Sequence, residues 1–120
     1  MARRLVVKVT CGASDAERLS QALTVAATAV ASGVDVSLWL TGDATWLSVP
    51  GRVPDLGLEH AAPLDQLVAA VLAGGAVTVC TQCAARRGIT AADLADGARI
   101  AGAASFLEEV LADDVQALVY

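Results

Sequence analysis

Cys80-Thr81-Gln82-Cys83 follows the apolar run Ala76-Val77-Thr78-Val79 and leads through Ala84-Ala85-Arg86-Arg87 to Gly88-Ile89. This order predicts a strand, a sharp turn carrying two thiols, and one or two helical turns stopped by a glycine. A thiol placed where a strand becomes a helix N-terminus sits beside backbone N–H groups that have no intrahelical partner. Their partial positive charge favours thiolate over thiol, and the thiolate is the nucleophile. The chemistry expected here is therefore that of an activated cysteine, with Cys80 leading and Cys83 as a possible resolving thiol. The competing reading of each is a small buried hydrophobe, a common fate of free cysteines.

The remaining elements alternate. Leu5-Val6-Val7-Lys8-Val9 reads as a buried first strand, and Cys11-Gly12-Ala13-Ser14 as the turn after it. Ser14-Asp15-Ala16-Glu17 fits a capping box, with Ser14 as N-cap, ahead of a helix carrying Leu19, Leu23, Ala26, Ala27 and Val30 at helical spacing and stopping at Gly33. Val34 to Leu40 gives a second strand, ended by the turn Thr41-Gly42-Asp43. From Ser48 to Pro63 periodicity vanishes, and all three prolines and the single His60 fall there, which makes this the long loop of the domain. Leu64 to Leu72 restores helical spacing before Gly74-Gly75 and the third strand. Thr90 to Asp93 opens a short capped helical piece, Ala98 to Ala101 is a short fourth strand, Gly102 to Ala112 is the last helix, with Glu108 and Glu109 on its outer side, and Val115 to Val119 is the final strand.

Strands alternating with helices imply an α/β domain: a single three-layer, flavodoxin-like unit over residues 1–120 with a mostly parallel sheet of about five strands. Such sheets gather ligands beyond the carboxyl ends of their strands, which brings the Cys11, Asp43 and Cys80 turns to one edge. Cys11, Ser14, Asp43 and Arg86 are accordingly candidate pocket residues. Capping and turn formation explain Ser14 and Asp43 equally well. Arg86 and Arg87 serve most simply as partners of the last helical carbonyls beside Gly88.

Composition narrows the class. The chain has 120 residues, 56% hydrophobic and 18% charged, with a net charge of −5. So little charge over so much apolar surface predicts a homo-oligomer. The eight Lys and Arg form no basic patch interleaved with aromatics, so nucleic acid is not an expected partner. Charge-free stretches are broken by Ser, Thr, Gln and Gly, so no membrane span is expected. Met1-Ala2-Arg3-Arg4 supplies only the basic start of a signal peptide, and three cysteines cannot all pair within one chain. Reduced cytoplasmic thiols are the expectation. No G-x-G-x-x-G or Walker pattern occurs, so no cofactor is expected. A Cys₃His zinc site from Cys11, Cys80, Cys83 and His60 is the weaker metal alternative, and the expectation is no metal.

Taken together, Cys80 with Arg86-Arg87-Gly88-Ile89, the helix around Asp15 to Ala27, the Gly42-Asp43 turn and the C-terminal Ala112-Asp113-Asp114-Val115-Gln116-Ala117-Leu118 resemble the DsrE/DsrF-like family of sulfur-relay proteins, which includes the TusD-type sulfurtransferase subunits. The resemblance runs over essentially the whole chain. It implies that Cys80 carries a persulfide, that the assembly is a homotrimer or a hexamer of such units, and that the partners are sulfur donor and acceptor proteins. The chain departs from those relay subunits in carrying Cys83 and Cys11. Three functions therefore remain open at the level of sequence: sulfur relay with sulfurtransferase-like activity, thiol–disulfide redox chemistry of the Cys80/Cys83 pair, and a non-catalytic binding or scaffold subunit.

Overall fold

The computed structural model describes residues 3–120. Met1 and Ala2, half of the basic start, lie outside them. Five strands run in parallel: β1 (Arg4–Val9), β2 (Asp35–Leu40), β3 (Ala76–Cys80), β4 (Ala98–Ala101) and β5 (Val115–Val119). Their order is β4-β3-β2-β1-β5. The chain steps outward from β1 to β4, then returns across the sheet to place β5 on the other side of β1.

Right-handed crossovers put the helices of the outward steps on one face and that of the return on the other. α1 (Ala16–Ala31) and α2 (Leu64–Gly74) pack together on the first face. There Val7, Val9, Val36, Leu38, Leu40 and Val77 meet Leu19, Leu23, Val68 and Val71 in the main core. α3 (Thr81–Arg86) closes a smaller core on the same side, in which Val79, Ala84 and Ile89 pack with Trp46, Val49, Leu94 and Ile100. α4 (Ala103–Val110) covers the second face. Side chains alternate along a strand, so that face carries Arg4, Val6, Lys8, Trp39, Thr78 and Cys80.

The second face is partly polar, and this corrects the expected orientation of α4. Glu109, assigned to solvent by helical spacing, turns inward and is only 14% exposed in its side chain. It accepts the Trp39 indole N–H at 3.0 Å and pairs with Arg4 and Arg99, each at 3.3 Å. Leu107 and Leu111 are instead exposed, and Val119 and Leu118 extend the apolar surface at the β5 edge. A sheet face bearing two arginines draws the carboxylate under the helix, because a half-buried cation needs a partner.

Two local expectations also change. No capping box forms at Ser14: the segment Ala13–Asp15 is a 3₁₀ turn, α1 starts at Ala16, and Asp15 pairs with Arg18 at 3.3 Å. The predicted capping box at Thr90 and Asp93 does form. The second strand does not lead into a simple turn. Gly42–Ser48 is a seven-residue 3₁₀ helix, with Ala44, Thr45, Leu47 and Ser48 buried. Long 3₁₀ runs are uncommon because their hydrogen bonds are poorer. This one is held by burial of its apolar side chains, a tertiary effect with no periodic signature.

Among the described residues no helix is long and apolar enough to cross a membrane.

Candidate functional site

The expected convergence at the carboxyl edge is present and tight. Thr41 caps the edge by donating its N–H and its hydroxyl to the Val9 carbonyl, both at 2.9 Å. Gly12 is pressed so closely on the next turn that a β-carbon there would collide with the Asp43 β-carbon. Gly42 has φ of +55°, and a β-carbon on it would meet the Thr10 carbonyl oxygen at 2.9 Å. The position therefore demands glycine twice over, for backbone conformation and for space. Its N–H donates to the Cys83 sulfur at 3.2 Å, which ties the turn after β2 to the segment after β3.

Asp43 fixes the same junction from outside. Its carboxylate accepts from Arg87 Nε at 3.1 Å and Arg87 Nη2 at 2.8 Å, while Arg87 Nη1 donates to the Cys83 carbonyl at 3.1 Å. Arg87 thus performs the expected role at the helix end, and its partner Asp43 is a bracket for α3. Arg86 is exposed, and so is Ser14.

Cys80 is the last residue of β3 and the N-cap of α3. It is partly exposed, whereas Cys83, on the inner side of α3, is buried, and all three cysteines are free thiols. Burial alone pushes the Cys80 thiol up. It is outweighed by the Cys83 N–H, the Cys83 thiol, the Gln82 N–H and the charge of Lys8, so the net shift is downward, toward thiolate. The Gly42 N–H donation to the Cys83 sulfur joins this environment to the turn after β2. Lys8, read in the sequence only as part of a strand, belongs to this environment. Its signal was a lone charge inside an otherwise apolar run.

Cys11 behaves in the opposite way. It packs against the main core under α1. Burial pushes its thiol up, Asp15 adds to this, and Arg18 offsets part of it. None of the groups that act on Cys80 acts on Cys11, and the two thiols belong to opposite faces of the sheet. The linkage to stability differs in sign. Cys80, lowered in the fold, contributes stability that is complete above its unfolded value and is lost as pH falls through the folded one. Cys11, raised in the fold, weakens the fold as pH climbs past its unfolded value. Alkylation across a pH series is expected to reach half its limiting rate at lower pH for Cys80 than for Cys11. Peptide mapping of the modified protein checks the order, and the reverse order would show that Cys80 is not activated.

The long loop stands apart from the cysteines. It lines a cavity of about 340 Å³ against Ser20 of α1, with Val53, Leu56, Leu58, Pro63 and Asp65 in its wall. His60 is exposed at φ of +63°. Among the described residues no three His, Cys, Asp or Glu side chains converge as a metal cluster, so the Cys₃His set is not assembled in this geometry.

The comparisons with known proteins agree with this architecture. The YchN protein of E. coli superposes with a TM-score of 0.80, with 24% identity and complete coverage of both chains. Protein MTH1491 of Methanobacterium thermoautotrophicum, described as of unknown function, does so at 0.73, with 11% identity over 98% of this chain and 99% of its own. At these identities the likeness shows the fold. No curated protein matches the chain. The family model of the DsrE/DsrF-like family matches residues 4–116, so by sequence as well as by fold this chain belongs to the DsrE/DsrF-like family.

Proposed function

We propose that the protein carries sulfane sulfur on Cys80 and passes it between protein partners. Membership of the DsrE/DsrF-like family points to sulfur relay as the general chemistry. What supports Cys80 as the carrier is one observation: it is a partly exposed thiol at the strand-to-helix switch whose surroundings favour the anion. The thiolate attacks the terminal sulfur of a donor persulfide R–S–SH. A Cys80–sulfur bond forms as the donor's S–S bond breaks, and the donor leaves as its thiolate. An acceptor thiolate then attacks the terminal sulfur of Cys80–S–SH and regenerates the Cys80 thiolate, so no net oxidation occurs. The activity is sulfurtransferase-like, and no cofactor or metal takes part. The exposed Leu107, Leu111, Leu118 and Val119 support a homo-oligomer, which family resemblance makes a trimer or hexamer. Three free thiols suit a reducing cytoplasm.

A second reading is favoured by the Cys83 thiol beside Cys80. There the Cys83 thiolate attacks the Cys80 sulfur of the persulfide, a Cys80–Cys83 disulfide forms, hydrosulfide leaves, and an external dithiol must reduce the pair. Loading wild type and Cys83→Ser with a low-molecular-weight persulfide, then adding an acceptor thiol, separates the two. Relay predicts that Cys83→Ser, whose hydroxyl keeps a donor beside Cys80, loads within about tenfold of wild type and still hands its sulfur on. Failure of transfer in the variant, with a Cys80–Cys83 disulfide and free sulfide in wild type, would establish the redox reading instead.

A further inference from the structure

Lys8 occupies an unusual place for an ammonium. The parallel register sets Val119, Lys8, Trp39, Thr78 and Arg99 in one row across all five strands. Strand alternation keeps Cys80 on the same face as this row, two residues beyond Thr78 toward the carboxyl edge. The Lys8 nitrogen lies 4.9 Å from the centroid of the Phe106 ring, and Phe106 meets Trp39 edge-on with centroids 5.3 Å apart. The Phe106 ring therefore covers one side of the ammonium.

Among the described residues no carboxylate lies within 4.0 Å of the Lys8 nitrogen. The other charges on this side are already engaged: Glu109 of α4 with Arg4 of β1 and Arg99 of β4, and, beside Cys83, Asp43 with Arg87. A half-buried ammonium without a counter-charge is costly, and a cation–π contact with phenylalanine recovers only part of that cost.

We propose that Lys8 is a positioning residue whose ammonium supplies the counter-charge for the sulfur anion on Cys80, first as thiolate and then as the persulfide anion Cys80–S–S⁻. The proposal rests on the relay reading above. When the donor's S–S bond breaks and its thiolate departs, the Cys80–S–SH proton passes to solvent and the terminal sulfur keeps the negative charge. That charge lies on the sheet face where Lys8 stands, at a partly exposed site where Coulomb attraction is less screened than in bulk water. The influence of Lys8 on the resting thiol is already favourable to the anion.

The test uses full-length wild type, Lys8→Met and Lys8→Arg. Iodoacetamide reports the pH profile of the Cys80 thiol, and a small alkyl persulfide reports sulfur loading by mass. Circular dichroism and thermal unfolding confirm that each variant is folded. The expected result is that Lys8→Met moves the Cys80 alkylation profile to higher pH and slows loading at neutral pH several-fold, while Lys8→Arg restores both. A Lys8→Met protein that alkylates and loads like wild type overturns the role of Lys8 and leaves relay standing. Absence of sulfur uptake at Cys80 in wild type itself overturns the relay reading and the persulfide role with it, a result distinct from the first.

Discussion

Cys80→Ser is expected to abolish sulfur uptake from a persulfide donor, reducing it to the background of a protein without an activated thiol. The substitution is nearly isosteric at a partly exposed strand end, so the fold should survive. A serine hydroxyl is not ionised near neutral pH, and the Lys8 charge and backbone N–H groups that favour a thiolate cannot make it a sulfur nucleophile. Cys11 and Cys83 do not substitute for it, because Cys11 is held as thiol under α1 and Cys83 is buried. The measurement is the intact mass of wild type and variant after identical exposure to donor. Equal uptake by both would move the chemistry to another cysteine.

Trp39→Ala should be the most damaging single change to the fold. Trp39 is 2% exposed, stacks edge-on with Phe106 at 5.3 Å, and donates its indole N–H to Glu109 at 3.0 Å. Truncating a buried tryptophan costs about 3–5 kcal/mol through lost transfer energy and the cavity left behind. That is a large share of a domain stability of about 5–15 kcal/mol. Trp39→Phe keeps most of the ring but orphans one acceptor position on Glu109, at a cost of about 1–3 kcal/mol. Chemical denaturation of both variants checks the ranking. A loss below about 1 kcal/mol for Trp39→Ala would show that α4 does not depend on this wedge.

Much of the architecture is legible in the chain because its determinants are local. The β-branched run 5–9, the helical spacing of Leu19, Leu23, Ala26 and Val30, and the glycines after α1 and α3 mark elements by period and punctuation. The position of Cys80 follows from the same logic, since a cysteine ending the third strand of an alternating pattern must stand at the carboxyl edge. What escapes is what depends on partners distant in sequence. Helical spacing sent Glu109 to solvent; Arg4 and Arg99, far away along the chain, bring it inside. The Ser14 box has the right residue types, but the segment folds as a 3₁₀ turn with Gly12 as its N-cap, and α1 starts at Ala16. The 3₁₀ helix Gly42–Ser48 has no period to betray it. Lys8 was visible as a lone charge, yet only the register shows that it shares a face with Cys80.

The same limit explains the uneven fate of the pocket candidates. Asp43 and Cys83 meet at one junction through Arg87 and Gly42. Ser14 and Arg86 remain at the surface, and Cys11 lies with the opposite core. One sheet edge gathers these turns, but strand alternation decides which face each side chain joins.

The most direct test is to expose wild-type protein to a small persulfide at neutral pH, cleave it without reductant, and locate the added sulfur by peptide mass spectrometry. The expected result is one extra sulfur on the peptide containing Cys80, removable by an acceptor thiol. Sulfur found only on the Cys11 peptide, or on none, would contradict it.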